Sequence, residues 1–162
     1  MPSDENIMEI RNDFKELLEL FSVRSPQDNK HKVECLIVGG YALAFHGAPR
    51  FTGDIDLFVR PIRENAERIL AALNEFGFGS LDLSEDDFSL PGKVIQLGVP
   101  PIRIDIITGI SGLSWEKADM GKVPGQYDRT PVCFISREDF IANKKATGRK
   151  KDASDIEALG EQ

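Results

Sequence analysis

Leu36-Ile-Val-Gly39-Gly40-Tyr41-Ala-Leu-Ala-Phe-His46-Gly-Ala-Pro-Arg50-Phe-Thr52-Gly-Asp54-Ile-Asp56-Leu-Phe-Val59 is the stretch that decides the fold. Its first residues extend an apolar run from Val33 to Val38, which predicts a strand covered on both faces and therefore central in its sheet. Gly39 and Gly40 end that strand and open a short predicted helix over 40–45, closed by Gly47-Ala-Pro49. A second strand is predicted from Asp54 to Arg60. Its period of two puts Asp54 and Asp56 on one face and Ile55, Leu57 and Val59 on the other. Two carboxylates side by side on a pleated surface repel unless a cation lies between them. The hard cation that suits them is Mg²⁺, commonly shared with substrate phosphates. A helix entered through glycines offers backbone N–H groups to a phosphate.

Outward from this stretch, Ile102-Arg103-Ile104-Asp105-Ile106-Ile107 alternates as a strand. Arg103 and Asp105 fall on one face, with isoleucines on the other. If this strand neighbours the Asp54 strand, three carboxylates converge, a set suited to two divalent ions and in-line phosphoryl or nucleotidyl transfer. Simpler readings stand beside this one. Asp54 and Asp56 also suit a solvated strand start, Gly39-Gly40 a plain turn, and Arg103 with Asp105 an ordinary ion pair. Arg50 and Thr52 share strand spacing with Asp54. Arg50 either clamps a phosphate or holds Asp54 or Asp56. His46 reads as structural at a helix end, and Tyr41 as core or pocket wall.

The ordered set Gly39-Gly40, Asp54-x-Asp56 and Asp105 resembles the nucleotidyltransferase superfamily that includes DNA polymerase beta. The longer form Gly-Gly-x-Ala-x-x-x-His-Gly-x-x-Arg-x-Thr-x-Asp-x-Asp resembles a narrower group, the AbiEii-type nucleotidyltransferase toxins and the small lincosamide-type nucleotidyltransferases. Downstream, Phe140-Ile-Ala-Asn-Lys144-Lys-Ala-Thr-Gly-Arg149-Lys150-Lys-Asp152-Ala-Ser-Asp155-Ile resembles that group's C-terminal helical motif, so the likeness spans Val33 to Leu159. Many superfamily members have Gly-Ser where this chain has Gly39-Gly40; the narrower group often has Gly-Gly.

The resemblance implies an α/β (α+β) fold, a nucleotidyltransferase-like mixed β-sheet with helices packed on one face and carboxylates on the open face. It implies metal-dependent transfer of an NMP group from an NTP, with Mg²⁺ or Mn²⁺ on Asp54, Asp56 and Asp105 as catalytic and metal-binding residues. Gly39, Gly40, Arg50, Thr52, Lys144 and Arg149 would bind the nucleotide, Lys144 reaching the triphosphate. The acceptor stays open among a tRNA end, a small molecule and a protein side chain. The alternative is a non-catalytic nucleotide-binding or toxin–antitoxin partner module.

Composition bounds these readings. The 162 residues predict a single domain, with an N-terminal helix and loop (1–32), a catalytic sheet core (33–135) and C-terminal helices (136–162). A formal net charge of −7 disfavours broad duplex nucleic-acid binding. Cys35 and Cys133 lie in apolar runs, which predicts buried free thiols in a reducing compartment. The N-terminus lacks the apolar core of a signal peptide, no run is long enough to span a membrane, and a cytoplasmic location is expected. Helices are predicted over 5–22 and 63–76, then irregular chain over 78–92 and strands over 94–97 and 102–108. A Gly-rich connection over 109–129 follows, with one helical turn at Trp115, then a strand over 132–135. Ser136 with Asp139 caps a helix ending at Gly148, and a last helix covers 152–159. The basic run Lys144, Lys145, Arg149, Lys150, Lys151 suits a solvated helix face, with Lys144 the exception.

Overall fold

A computed structural model describes residues 14–21, 31–48, 53–79, 81–99 and 102–160. Residues 14–21 are helical (α1) and bury Phe14, Leu17, Leu18 and Phe21, the stripe expected of an amphipathic helix. The chain continues through β1 (Cys35–Val38), α2 (Gly39–Phe45), β2 (Asp54–Val59), α3 (Arg63–Leu73), α4 (Glu85–Ser89), β3 (Val94–Val99) and β4 (Ile102–Ile107). It ends with α5 (Trp115–Gly121), β5 (Val123–Tyr127), β6 (Thr130–Phe134), α6 (Arg137–Thr147) and α7 (Lys150–Ala158). The six strands form one mixed sheet in the order β3-β4-β2-β1-β6-β5.

The central position of β1 follows from its composition. Leu36, Ile37 and Val38 are all buried, and antiparallel pairing with β2 sets Leu36 against Phe58 and Val38 against Asp56. β2 and β4 run parallel, with Ile55 beside Ile104, Asp56 beside Asp105 and Leu57 beside Ile106. The register is fixed by the apolar face: Ile55, Leu57, Ile104 and Ile106 are all 0% exposed, and a one-residue slip would send them to the carboxylate face. That opposite face is open at Asp54 and Asp56. Further along it, Phe58 is buried under Trp115 of α5, ring centroids 5.2 Å apart.

Asn65 locks the helix of the βα unit to the sheet. Its side chain is fully buried. It accepts from the Glu34 amide at 2.8 Å and donates to the Glu34 and Arg60 carbonyls at 3.0 Å each. The Glu34 amide takes its bond from this side chain, while the Glu34 and Arg60 carbonyls accept from Asn65 in addition to the Arg60 and Ile62 amides.

Several elements depart from the sequence reading. α3 stops at Leu73 and passes into a π-helical turn over Asn74–Phe78, in which Gly77 adopts φ 114°. Within 78–92, read from sequence as irregular or weakly structured, lies the five-residue helix α4, held by a capping box between Ser84 and Asp87 and anchored by fully buried Phe88. Residues 109–129 hold the full helix α5 and a strand, β5. Pro124 and Gly125 obscured that strand, and they are tolerated because β5 is an edge. Both cysteines are free and half-buried. The N-terminal part of the predicted 5–22 helix lies outside the described residues, and no described helix is long and apolar enough to cross a membrane.

Asn65→Ala should lower unfolding free energy by about 1–3 kcal/mol, because it strands the Glu34 amide and removes a second donor from the Glu34 and Arg60 carbonyls. Urea denaturation checks this; a loss under about 1 kcal/mol would mean water takes over the Glu34 amide.

Candidate active site

The register of β2 against β4 builds the centre of the site. Asp56 and Asp105 stand abreast on neighbouring parallel strands, and Asp54 precedes them on the same face, opposite Arg103. Asp105 is only 9% exposed, and its Oδ1 is buried with no hydrogen-bond partner. Burial first, then the adjacent Asp105 carboxyl, push the Asp56 carboxyl up from 3.8 to about 7. The arrangement favours a proton on Asp56 or a cation beside it.

Gly39 makes room for this arrangement. α2 begins at Gly39, directly after Val38, the residue registered with Asp56. A Cβ on Gly39 would collide with the Asp56 carboxylate, 2.9 Å from its Cγ, and the residue has φ +68°, a region disfavoured for side-chain-bearing residues. The glycine is thus required by both a left-handed backbone and the close approach of a carboxylate. Gly40 is buried in the first turn of α2.

Lys144 reaches the site from α6. Its side chain is 12% exposed and its Nζ lies 3.4 Å from Asp152 Oδ1 and 3.7 Å from Asp155 Oδ2. The ammonium sits over the Phe140 ring at 5.3 Å, and its charge favours the ionised form of Asp56. Asp152 is the knot of this bracket. Fully buried, it accepts from Thr147 Oγ1 at 2.6 Å, from the Arg149 amide at 3.1 Å and from Arg149 Nε at 2.9 Å. The Arg149 hydrogen bonds hold its carboxyl well below the usual carboxylate range. Between the two helices Gly148 turns the chain with φ 66°. Arg149, expected at the nucleotide, is half of this brace, with its side chain 66% exposed. Lys145, Lys150 and Lys151 are exposed.

The remaining expected residues fall outside this centre. Arg50 and Thr52 lie outside the described residues. His46 donates from Nε2 to the Ile135 carbonyl at 2.7 Å, tying α2 to the end of β6. Tyr41 packs edge-on against Phe14 and Tyr127. A cavity of about 600 Å³ opens between β1, β6 and α5, lined by Cys35, Cys133, Lys122 and Trp115 among others and by none of the three aspartates. Burial pushes the Cys35 thiol up to about 12, which makes it inert as a nucleophile.

Asp152 and Asp155 belong to the C-terminal motif read from the sequence but carry no assigned role there, although their i, i+3 spacing on a helix after Lys144 is a usable signal. Arg103 was weighed only as a partner of Asp105; it lies 3.5 Å from Asp54 and 3.7 Å from Asp105. Whether the residues fit a divalent ion is answered by the donors: hard carboxylate oxygens, one buried and unpartnered, beside a like-charged neighbour. Among the described residues no three carboxylates are already gathered around a single ion position.

Comparison with known families supplies the class of protein: a nucleotidyltransferase. Residues 27–147 match the family of the nucleotidyl transferase AbiEii toxin of type IV toxin–antitoxin systems, and the chain belongs to that family. Its fold is shared by a Thermotoga maritima protein, TM1012, described as a candidate nucleotidyltransferase, at 18% identity and TM-score 0.57 over 97% of this chain and 93% of that one. The antibiotic-resistance factor ANT(2'')-Ia aligns at 16% identity and TM-score 0.59 over 95% and 83%. The lincosamide antibiotic adenylyltransferase LnuA, solved with lincomycin, aligns at 14% identity and TM-score 0.54 over 98% and 96%. No curated protein matches by sequence.

The raised Asp56 group makes the metal-free protein pH-sensitive. Its folded form binds the proton more tightly than the unfolded chain does, so the stabilisation is complete below about 3.8 and is lost as pH rises through about 7. The low-lying Asp152 carboxyl acts in the opposite sense and only in acid, below the window of interest. In chelator, the wild-type urea midpoint should therefore fall between pH 5 and pH 7.5 more than that of Asp56→Asn. Identical pH slopes for the two proteins would show that Asp56 titrates normally.

Proposed function

We propose that this chain transfers an NMP group from an NTP to an acceptor hydroxyl, with Asp54, Asp56 and Asp105 holding Mg²⁺ or Mn²⁺. The observation that carries the reading is the pair of carboxyls standing abreast beside Gly39. Carboxyls set side by side suit metal-assisted phosphoryl chemistry, in which a cation offsets their repulsion, better than a binding-only module. When bound, the ion supplies charge neutralisation at the α-phosphate and the pyrophosphate leaving group.

The chain's own residues do the rest. Asp105 accepts the acceptor's proton, for which its buried Oδ1 has the lone pair free of any hydrogen bond. The acceptor oxygen then bonds to the α-phosphorus as the bond to the β-phosphate oxygen breaks, and pyrophosphate leaves. Lys144, pre-extended by Asp152 and Asp155, supplies a fixed positive charge for the triphosphate at little entropic cost. Gly39 and Gly40 keep the start of α2 free of side chains beside Asp56, which permits close backbone approach of a phosphate. Arg50 and Thr52 are assigned to the nucleotide on their sequence spacing. Arg149 serves it through Asp152. LnuA is an antibiotic adenylyltransferase; for this chain the acceptor is a hydroxyl of a small molecule, a tRNA end or a protein side chain. The two free thiols support a reducing, cytoplasmic setting.

Incubation with each α-labelled NTP, Mg²⁺ and cell lysate or total RNA should transfer label, and Asp56→Asn should abolish the transfer while keeping the native fold. Label transfer undiminished in that variant would remove the mechanism. Nucleotide binding indifferent to Mg²⁺ and to Asp56 would favour a binding-only module.

Lys144→Ala should weaken NTP binding by roughly 1.5–3 kcal/mol, the range for a hydrogen bond to a charged group. Lys151→Ala, at an exposed position, should change it by less than about 0.5 kcal/mol. Equal losses from both, in isothermal titration, would reduce the basic run to a diffuse electrostatic surface.

A further inference from the structure

Arg103 occupies an unusual position for a cation. The β2–β4 register sets it directly opposite Asp54 and two residues before Asp105. Its Nη2 lies 3.5 Å from Asp54 Oδ2 and 3.7 Å from Asp105 Oδ2, both too long for hydrogen bonds. Its Nε is buried without a hydrogen-bond partner. A guanidinium serving as a permanent brace makes short, paired, charge-assisted bonds, and this chain contains one: Arg149 grips Asp152 at 2.9 and 3.2 Å. Arg103 is held by charge alone.

The surrounding charges say what that looseness is for. Three carboxylates share one patch of sheet, and Arg103 is the cation lying between Asp54 and Asp105. It contacts one oxygen of each and leaves Asp105 Oδ1 unpartnered. A divalent ion binding these oxygens must either displace the guanidinium or sit beside a like charge a few ångströms away.

We propose that Arg103 is a built-in counter-ion that occupies the carboxylate site in the metal-free protein and competes with the divalent ion, so that the ion is taken up together with the nucleotide rather than before it. The identity of the ion rests on the nucleotidyl-transfer reading; the competition rests on the geometry of Arg103. Triphosphate charge offsets the repulsion between ion and guanidinium, and without the triphosphate that repulsion opposes loading.

The test is Mn²⁺ binding by the full chain, followed by electron paramagnetic resonance of free Mn²⁺. It is run without nucleotide and with each α,β-methylene NTP analogue. Wild type should bind Mn²⁺ weakly alone and more tightly with an analogue. Arg103→Gln should bind Mn²⁺ alone about tenfold more tightly than wild type, the order expected from removing one positive neighbour of a doubly charged ion, and should lose most of its dependence on the analogue. Arg103→Lys, which keeps the charge, should stay near wild type. Unchanged or weaker nucleotide-free binding in Arg103→Gln overturns the proposal. If that happens while wild type still binds Mn²⁺ with an analogue, the catalytic reading survives it. If no protein binds Mn²⁺ under any condition, both fall.

Should Arg103→Gln fail to fold, wild-type protein labelled with ¹⁵N-arginine gives an independent answer. Mg²⁺ should shift the Arg103 Nε–H resonance, assigned through Arg103→Lys, and speed its exchange with water. A resonance unmoved at saturating Mg²⁺ would exclude displacement.

Discussion

Asp56 and Asp105 stand abreast on neighbouring parallel strands, and the rest of the site is arranged around the repulsion between them. Their proximity is imposed from the other side of the sheet. Ile55, Leu57, Ile104 and Ile106 are buried completely, and burying such side chains is worth about 1.5–3 kcal/mol each. That is enough to fix the register against the unfavourable meeting of two carboxyls. Gly39 then allows Asp56 to lie against the start of α2 with no intervening Cβ. The apolar core thus positions a pair of acids that would not choose to be neighbours.

Three cations or protons answer that negative charge at different ranges. A proton answers it at Asp56, whose carboxyl is pushed up to about 7 by burial first and by the Asp105 carboxyl second. Arg103 answers it loosely across Asp54 and Asp105. Lys144 answers it from α6, but its position is set by Asp152 and Asp155 rather than by the site itself. The contrast between the two basic residues is one of attachment. Asp152 is buried, hydrogen-bonded to Thr147 and Arg149 and held ionised, so it gives Lys144 a fixed anchor. Arg103 has no comparable anchor and is free to yield. The two basic residues thus differ in how firmly their charge is held in place.

Much of this was legible along the chain because it depends on short-range periodicity. The alternation of Asp54-Ile55-Asp56-Leu57 and of Arg103-Ile104-Asp105-Ile106 assigns faces without any knowledge of neighbours. The glycines at 39 and 148 mark positions where the backbone turns left-handed. Ser136 announces the start of α6 by accepting from the Asp139 amide. Local signals were harder to weigh where they conflicted. In β5, Pro124 and Gly125 argue against a strand, and only pairing with β6 at the sheet edge overrides them. In α4, a five-residue helix is too short to stand on propensity and persists because Ser84 and Asp87 cap it and Phe88 enters the core.

From its sequence alone the chain determined which residues share a face, where the backbone must bend, and which ordered set of glycines, aspartates and lysine it carries. These are properties of dihedral preference and of periods of two or 3.6, which act over a few residues. Only the tertiary structure decided that Asp105 lies beside Asp56 rather than one strand away, since adjacency within a sheet depends on packing far-separated segments. It also decided that Arg103 reaches Asp54 as well as Asp105, and that Arg149 and Lys144 both meet at Asp152. Long side chains choose among charged partners by distance in space, and that distance exists only once the sheet and the α6–α7 bracket have closed.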